Sequence, residues 1–193
     1  MSLPDPVKSE AARLRGRLVA CGLVAALALV SACTVRPLYS NQPLSPGSQV
    51  GAAAELASIS IKPVKTRYAQ QVRNNLIFAF GQGSGEPASP AYSLDLGVTE
   101  LVESAAIVQV QTEEDEPTAG TVTLSANYVL RDAATGTVIA LGKRSIPSSF
   151  DRPRQEFAAY RAQIDAENRA ARELADILRL AIAQDLTRHG KKT

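Results

Sequence analysis

Residues 121–130 read Thr-Val-Thr-Leu-Ser-Ala-Asn-Tyr-Val-Leu. Val122, Leu124, Ala126, Tyr128 and Leu130 fall on one side, and Thr121, Thr123, Ser125 and Asn127 on the other. A strand so patterned belongs to an antiparallel sheet with one face in water, and its apolar face needs a cover. Upstream, Tyr92, Leu94, Leu96 and Val98 alternate with Ser93, Asp95, Gly97 and Thr99; the phase slips near Glu100–Leu101, which predicts a bulge and a strand running to about Val110. The acidic run Glu113 to Glu116, with Pro117 and Gly120, reads as a hairpin loop, and Asp132 to Gly136 as a second turn into a strand over 137–146, stopped by Pro147. A further alternation over 56–62 precedes these. Two segments change to the helical period: 65–81, with Ala69, Val72, Leu76 and Phe80 on one face and Gly81 at its end, and about 154–188, with Phe157, Tyr160, Ile164, Ala171, Leu174, Leu178 and Ala181 in one stripe. The order β-α-β-β-β-α over residues 56–193 predicts an α+β two-layer sandwich, a four-stranded, mostly antiparallel sheet covered by two helices.

The first 32 residues are of another kind. Lys8, Arg13, Arg15 and Arg17 precede an uncharged, Leu-, Val- and Ala-rich run from Leu18 to Val30, the length of a signal-peptide core and shorter than the roughly 20 residues of a spanning helix. Val30-Ser31-Ala32-Cys33 follows, the bacterial lipobox pattern, so 1–32 is expected to be removed and Cys33 acylated; the alternative is an uncleaved anchor with Cys33 as an incidental thiol. Cys21 leaves with the peptide, so no internal disulfide is expected in spite of an oxidising compartment. Several acyl chains hold a protein on a bilayer firmly. Thr34, in place of an aspartate retention signal, favours the outer membrane, periplasmic side. Residues 33–55 read as an acylated start with Pro37, Leu38 and Tyr39 packing near the anchor, followed by a flexible Ser-, Pro- and Gly-rich tether.

Chemistry is sparse. A formal charge of +2 from 21 basic and 19 acidic groups is too weak a field for nucleic-acid binding. One histidine, two cysteines and no tryptophan leave no material for a metal site, a cofactor site or a triad, so no enzyme is expected. His189 lies in the C-terminal tail, the Gly81–Gly85 loop lacks the lysine of a phosphate loop, and Glu113–Glu116 lacks the ligand spacing of a calcium loop. Basic residues are the remaining candidates: Lys62, Lys65 and Arg67 where the first strand meets the helix, Arg73 further along it, and Lys143 and Arg144 on the last strand. These suit phosphate or carboxylate contacts, and equally serve as edge guards and ion-pair partners.

The lipobox cysteine followed by Arg36-Pro37-Leu38-Tyr39, a strand, and then Arg67-Tyr68-Ala69-Gln70-Gln71-Val72-Arg73-Asn74-Asn75-Leu76 resembles the LPS-assembly lipoprotein family (LptE), in its alphaproteobacterial form. In that helix motif Gln71, Arg73, Asn74 and Leu76 carry the likeness. The resemblance covers the mature chain, and its family has the same sandwich. It implies a non-enzymatic outer-membrane lipoprotein that sits in the lumen of the β-barrel translocon LptD, helps it assemble, plugs it, and binds lipopolysaccharide in transit to the surface. Under that reading the hydroxyl-bearing sheet face meets the barrel, and Lys62, Lys65, Arg67, Lys143 and Arg144 are candidates for lipid A phosphates on charge alone. Two alternatives stand beside it. One is a periplasmic auxiliary lipoprotein of a phospholipid-transport complex, which needs an apolar cavity; the other is a hydrolase, which the single tail histidine disfavours.

Overall fold

The computed structural model describes residues 51–106 and 119–190. Cys21, Cys33, Pro37, Leu38, Tyr39, the tether before Gly51 and the acidic run Glu113–Glu116 lie outside the described residues.

Among the described residues seven elements follow in order: α1 (Ala52–Ala57), β1 (Ile59–Ile61), α2 (Arg67–Gly81), β2 (Tyr92–Ala106), β3 (Ala119–Asp132), β4 (Val138–Asp151) and α3 (Glu156–Gly190). The sheet has the order β1-β2-β3-β4. β1 pairs parallel with β2, because α2 carries the chain back across the sheet, and the other two pairings are antiparallel. The two-layer α+β sandwich expected above is therefore the observed fold.

β3 supplies the centre of the core. Val122, Leu124, Ala126, Tyr128 and Leu130 are all buried, alternating with partly exposed neighbours along the strand. Facing them, α3 buries Ala166, Ala170, Ala171, Leu174, Ala175, Leu178, Ala181, Ile182, Ala183 and Leu186. Its alanines let the helix lie close to the sheet, while the leucines fill the layer between. α2 buries Ala69, Val72, Leu76 and Phe80 in the same core. Each large apolar side chain so buried contributes about 1.5–3 kcal/mol.

Several boundaries differ from the expectation, each for a local reason. Leu56 belongs to a helix, not to a strand over 56–62: the Ala-Ala-Ala-Glu-Leu-Ala run consists of strong helix formers, it buries Ala52, Ala53 and Leu56, and Ser58 ends it by donating its hydroxyl to Glu55 O at 2.7 Å. Only Ile59–Ile61 is left as strand. α2 begins at Arg67 and ends at Gly81 as expected, but the left-handed cap is Gln82 (φ 50°) and not the glycine, and the Gln82 N–H bonds to Phe78 O. β2 keeps its register through Glu100 and Leu101; the shift comes between Ser104 and Ala106. Leu101 and Val102 imitate a phase slip because both are apolar, yet both are exposed, and Glu100 stays on the inner parity. β4 continues through Pro147 to Asp151. As the sheet's edge strand it has no partner on its outer side among the described residues, and there a missing N–H costs no ladder bond. In α3, Phe157 and Tyr160 are 76% and 61% exposed and Ile164 is half-buried, so the apolar stripe starts before the core that covers it.

Gly142 sits across the ladder from Tyr128, and a Cβ there would lie 2.7 Å from the tyrosine ring and hydroxyl. Tyr128 cannot yield easily, since it is buried and its hydroxyl donates to Asp185 Oδ2 at 2.7 Å. Gly142→Ala is expected to destabilise the protein by about 1–3 kcal/mol. Gly97→Ala, with open space at its Cβ, is expected to be neutral or stabilising by up to about 1 kcal/mol. Urea midpoints at constant slope measure both.

Candidate functional site

Among the described residues, the helices cover one face of the sheet and leave the other bare. Across that bare face the register aligns Thr99, Ser125 and Ser145 in one row, Gly97, Asn127 and Lys143 in the next, and Glu103, Thr121 and Ser149 in a third. Ser125 Oγ and Ser145 Oγ are 2.9 Å apart, Thr121 Oγ1 and Ser149 Oγ 3.4 Å, and Thr99 Oγ1 donates to Ser125 O at 3.4 Å. Exposed apolar side chains, Leu101 and Leu141 among them, interrupt this hydroxyl-rich surface. Short β-branched and hydroxyl side chains keep it shallow and rich in donors and acceptors, a surface suited to another protein rather than to a buried small molecule.

The five basic candidates do not form one cluster. Lys62, just past β1, pairs with Asp95 at 2.5 Å, both side chains half-exposed, an arrangement worth little in water. Lys65 is exposed in the loop before α2. Arg67, in the first turn of α2, turns instead to α3, with an ion pair to Glu167 and a hydrogen bond to Asn168 Oδ1 at 3.0 Å. Lys143 and Arg144 sit at the opposite edge of the sheet from β1, on alternate parities of β4. Lys143 shares the bare face with Asn127, whereas Arg144 has the inner parity and donates to Lys143 O at 2.7 Å.

The family helix motif is mainly architectural. Leu76 is fully buried. Arg73 Nε donates to Ile61 O at 3.0 Å and its Nη2 meets Glu86 Oε2 at 2.6 Å, while Glu86 Oε1 accepts from Ile61 N–H at 2.9 Å. Arg73 and Glu86 together thus occupy the outer edge of β1, closing it to further strand pairing. Gln71 is half-buried, with its carbonyl taking the Asn75 side-chain amide at 2.9 Å, and Asn74 is exposed.

Sequence reasoning missed three groups. Glu86 lies in a loop that reads as punctuation. Glu167 occupies a position on the buried stripe of α3, where a charge is itself the signal. Glu100 continues the inward parity of Leu94, Leu96 and Val98, and its carboxyl is pushed up to about 7, first by burial, then by the charge and hydrogen bond of Glu167, against the opposing pull of Arg67. Burial and the bond to Asp185 likewise push the Tyr128 phenol up to about 12. His189 lies in the last turn of α3 and its charge helps hold the Asp132 carboxyl below its ordinary value, a smaller effect than the Thr135 hydrogen bonds. Among the described residues no group of three or more His, Cys, Asp or Glu could hold a metal ion, and no helix is long and apolar enough to cross a membrane.

A one-sided α+β sandwich with a bare polar sheet is the class of module that these features define. The family model described as LptE, lipopolysaccharide assembly, matches residues 56–182, more than half of the chain. The chain belongs to the LptE family, whose role is lipopolysaccharide assembly. Its fold is similar to that of a candidate lipoprotein from Caulobacter crescentus CB15, with a TM-score of 0.54 at 25% identity over 69% of this chain and 93% of that one. Rare lipoprotein B from Shewanella oneidensis (14% identity, 65% and 92% covered, TM-score 0.49) and a minor lipoprotein from Acinetobacter baumannii (14%, 66% and 90%, 0.49) are more distant. No curated protein matches by sequence.

Arg73→Ala is expected to lower stability by about 1–3 kcal/mol through loss of charged hydrogen bonds. It should also speed amide exchange at Lys62, whose N–H bonds to Leu94 O in the β1–β2 ladder. Lys62→Ala, by contrast, is expected to stay within about 0.5 kcal/mol of the parent.

Proposed function

We propose that this chain is a lipoprotein of the outer membrane, acylated at Cys33 and facing the periplasm, that plugs the β-barrel lipopolysaccharide translocon LptD and assists its assembly. It has no enzymatic role of its own and needs no cofactor. Membership of the LptE family is the observation that carries this reading.

Two features of the fold support it. The bare sheet face offers side-chain hydroxyls and amides at close spacing, which suits the wet, polar interior of a wide barrel. Side chains from every described element contribute to one apolar core between sheet and helices, whereas a phospholipid carrier would need an apolar cavity there. For the phosphates of lipid A, Lys62, Lys65 and Lys143 present ammonium groups at the surface, while Arg67 is engaged by α3 and Arg144 lies on the covered parity of β4. Pro37, Leu38 and Tyr39 would seat the body close to its anchor.

A mild-detergent pull-down of the C-terminally tagged, acylated protein from outer membranes tests the proposal. One large β-barrel at near-equal stoichiometry, absent when the body is truncated after residue 55, is the expected result. Recovery of the lipoprotein alone, with phospholipid, or with inner-membrane transport subunits would contradict it.

A further inference from the structure

Near the middle of the sheet's covered face, two carboxylates from different elements meet over one cation. Glu167 projects from α3 and is 7% exposed. It accepts from Arg67, at the start of α2, and from Gln163 Nε2 at 3.4 Å. Glu100 reaches towards the same point from β2, close enough for the charge of Glu167 to act on it, and its Oε1 is closed off from water with no hydrogen-bond partner. Arg67 is already shared between Glu167 and Asn168. The residues beside Glu100 in the ladder, Leu124 on β3 and Ile146 on β4, are apolar. Among the described residues the titratable groups acting on Glu100 are Glu167 and Arg67, so one guanidinium stands against two carboxylates.

We infer that Glu100 and Glu167 hold one proton between them, and that the joint where β2, α2 and α3 meet is tight while the proton is present and loosens when it is lost. With the proton, Glu100 is a neutral donor to an ion-paired Glu167. Without it, two like charges share one partner in a half-buried site. The sign follows from the folded state holding this proton more firmly than the unfolded chain does. Stability is greatest below the ordinary glutamate range, near 4.5, declines as pH rises towards about 7, and levels off above. This device lies on the covered face and is independent of what the bare face binds.

The test uses the full acylated chain in detergent micelles, with His189 replaced by Gln so that no imidazole contributes. Between pH 5 and pH 8 the unfolding equilibrium in urea is expected to shift towards the unfolded state by about ten-fold or more. Glu100→Gln should abolish most of that shift. In the carbon NMR spectrum of the parent, one glutamate carboxyl should titrate near neutrality and be missing from the variant. Amide exchange at Gln70, which bonds to Thr66 O at the first turn of α2, should quicken over the same range. If every glutamate titrates below about pH 5.5, or the urea shift survives in Glu100→Gln, the inference is wrong. If that variant does not fold, the parent's glutamate titration and Gln70 exchange decide by themselves.

Discussion

Everything in this fold depends on the inner face of β3 finding a cover. Five apolar side chains at alternate positions of one strand cannot remain in water, and a sheet of this width leaves room for two helices on a single side. α3 lies over β3 and β4 with alanines at its closest approach, and α2 completes the layer over β1 and β2. Once both helices are committed to one face, the other is left with its threonines and serines. The bare face is thus a consequence of the packing as much as a feature of the surface sequence.

The same arrangement sorts the charges. Edge positions receive arginines that cap backbone groups: Arg73 with Glu86 at the β1 edge, and Arg169 donating to Ser149 O on β4 at 2.8 Å. Pro147 adds a position on the β4 edge that cannot donate. These devices leave both edges of an open sheet poor templates for another strand, so the surface left for recognition is the face.

Much of this was legible from the chain. The alternation in β3 and the helical period of α2 depend on strong patterns of many residues, and both elements form as expected. Legibility failed where two readings share one pattern. Alanines at 52–54 are silent about period, so Leu56 reads equally as strand or helix. Leu101 and Val102, adjacent and apolar, hide the unbroken parity that carries Glu100 inward. Pro147 ends a strand in general and is tolerated on an edge, and which of these applies requires the sheet order. The basic candidates look like one group because residue type was the only evidence; Lys143 and Arg144 are neighbours in sequence and therefore opposite in a strand. Arg73 shows the reverse, a charged motif residue whose partner, Glu86, comes from a loop with no pattern of its own.

On the proposed function, the bare sheet face is where this protein would meet a β-barrel. Photo-crosslinking in cells from single positions tests it most directly, comparing Thr123 and Ser145 on the bare face with Glu173 and Asp176 on the exposed side of α3. The account predicts an adduct of one large outer-membrane β-barrel from the sheet positions and little from the helix positions. Adducts from the helix positions alone would contradict it.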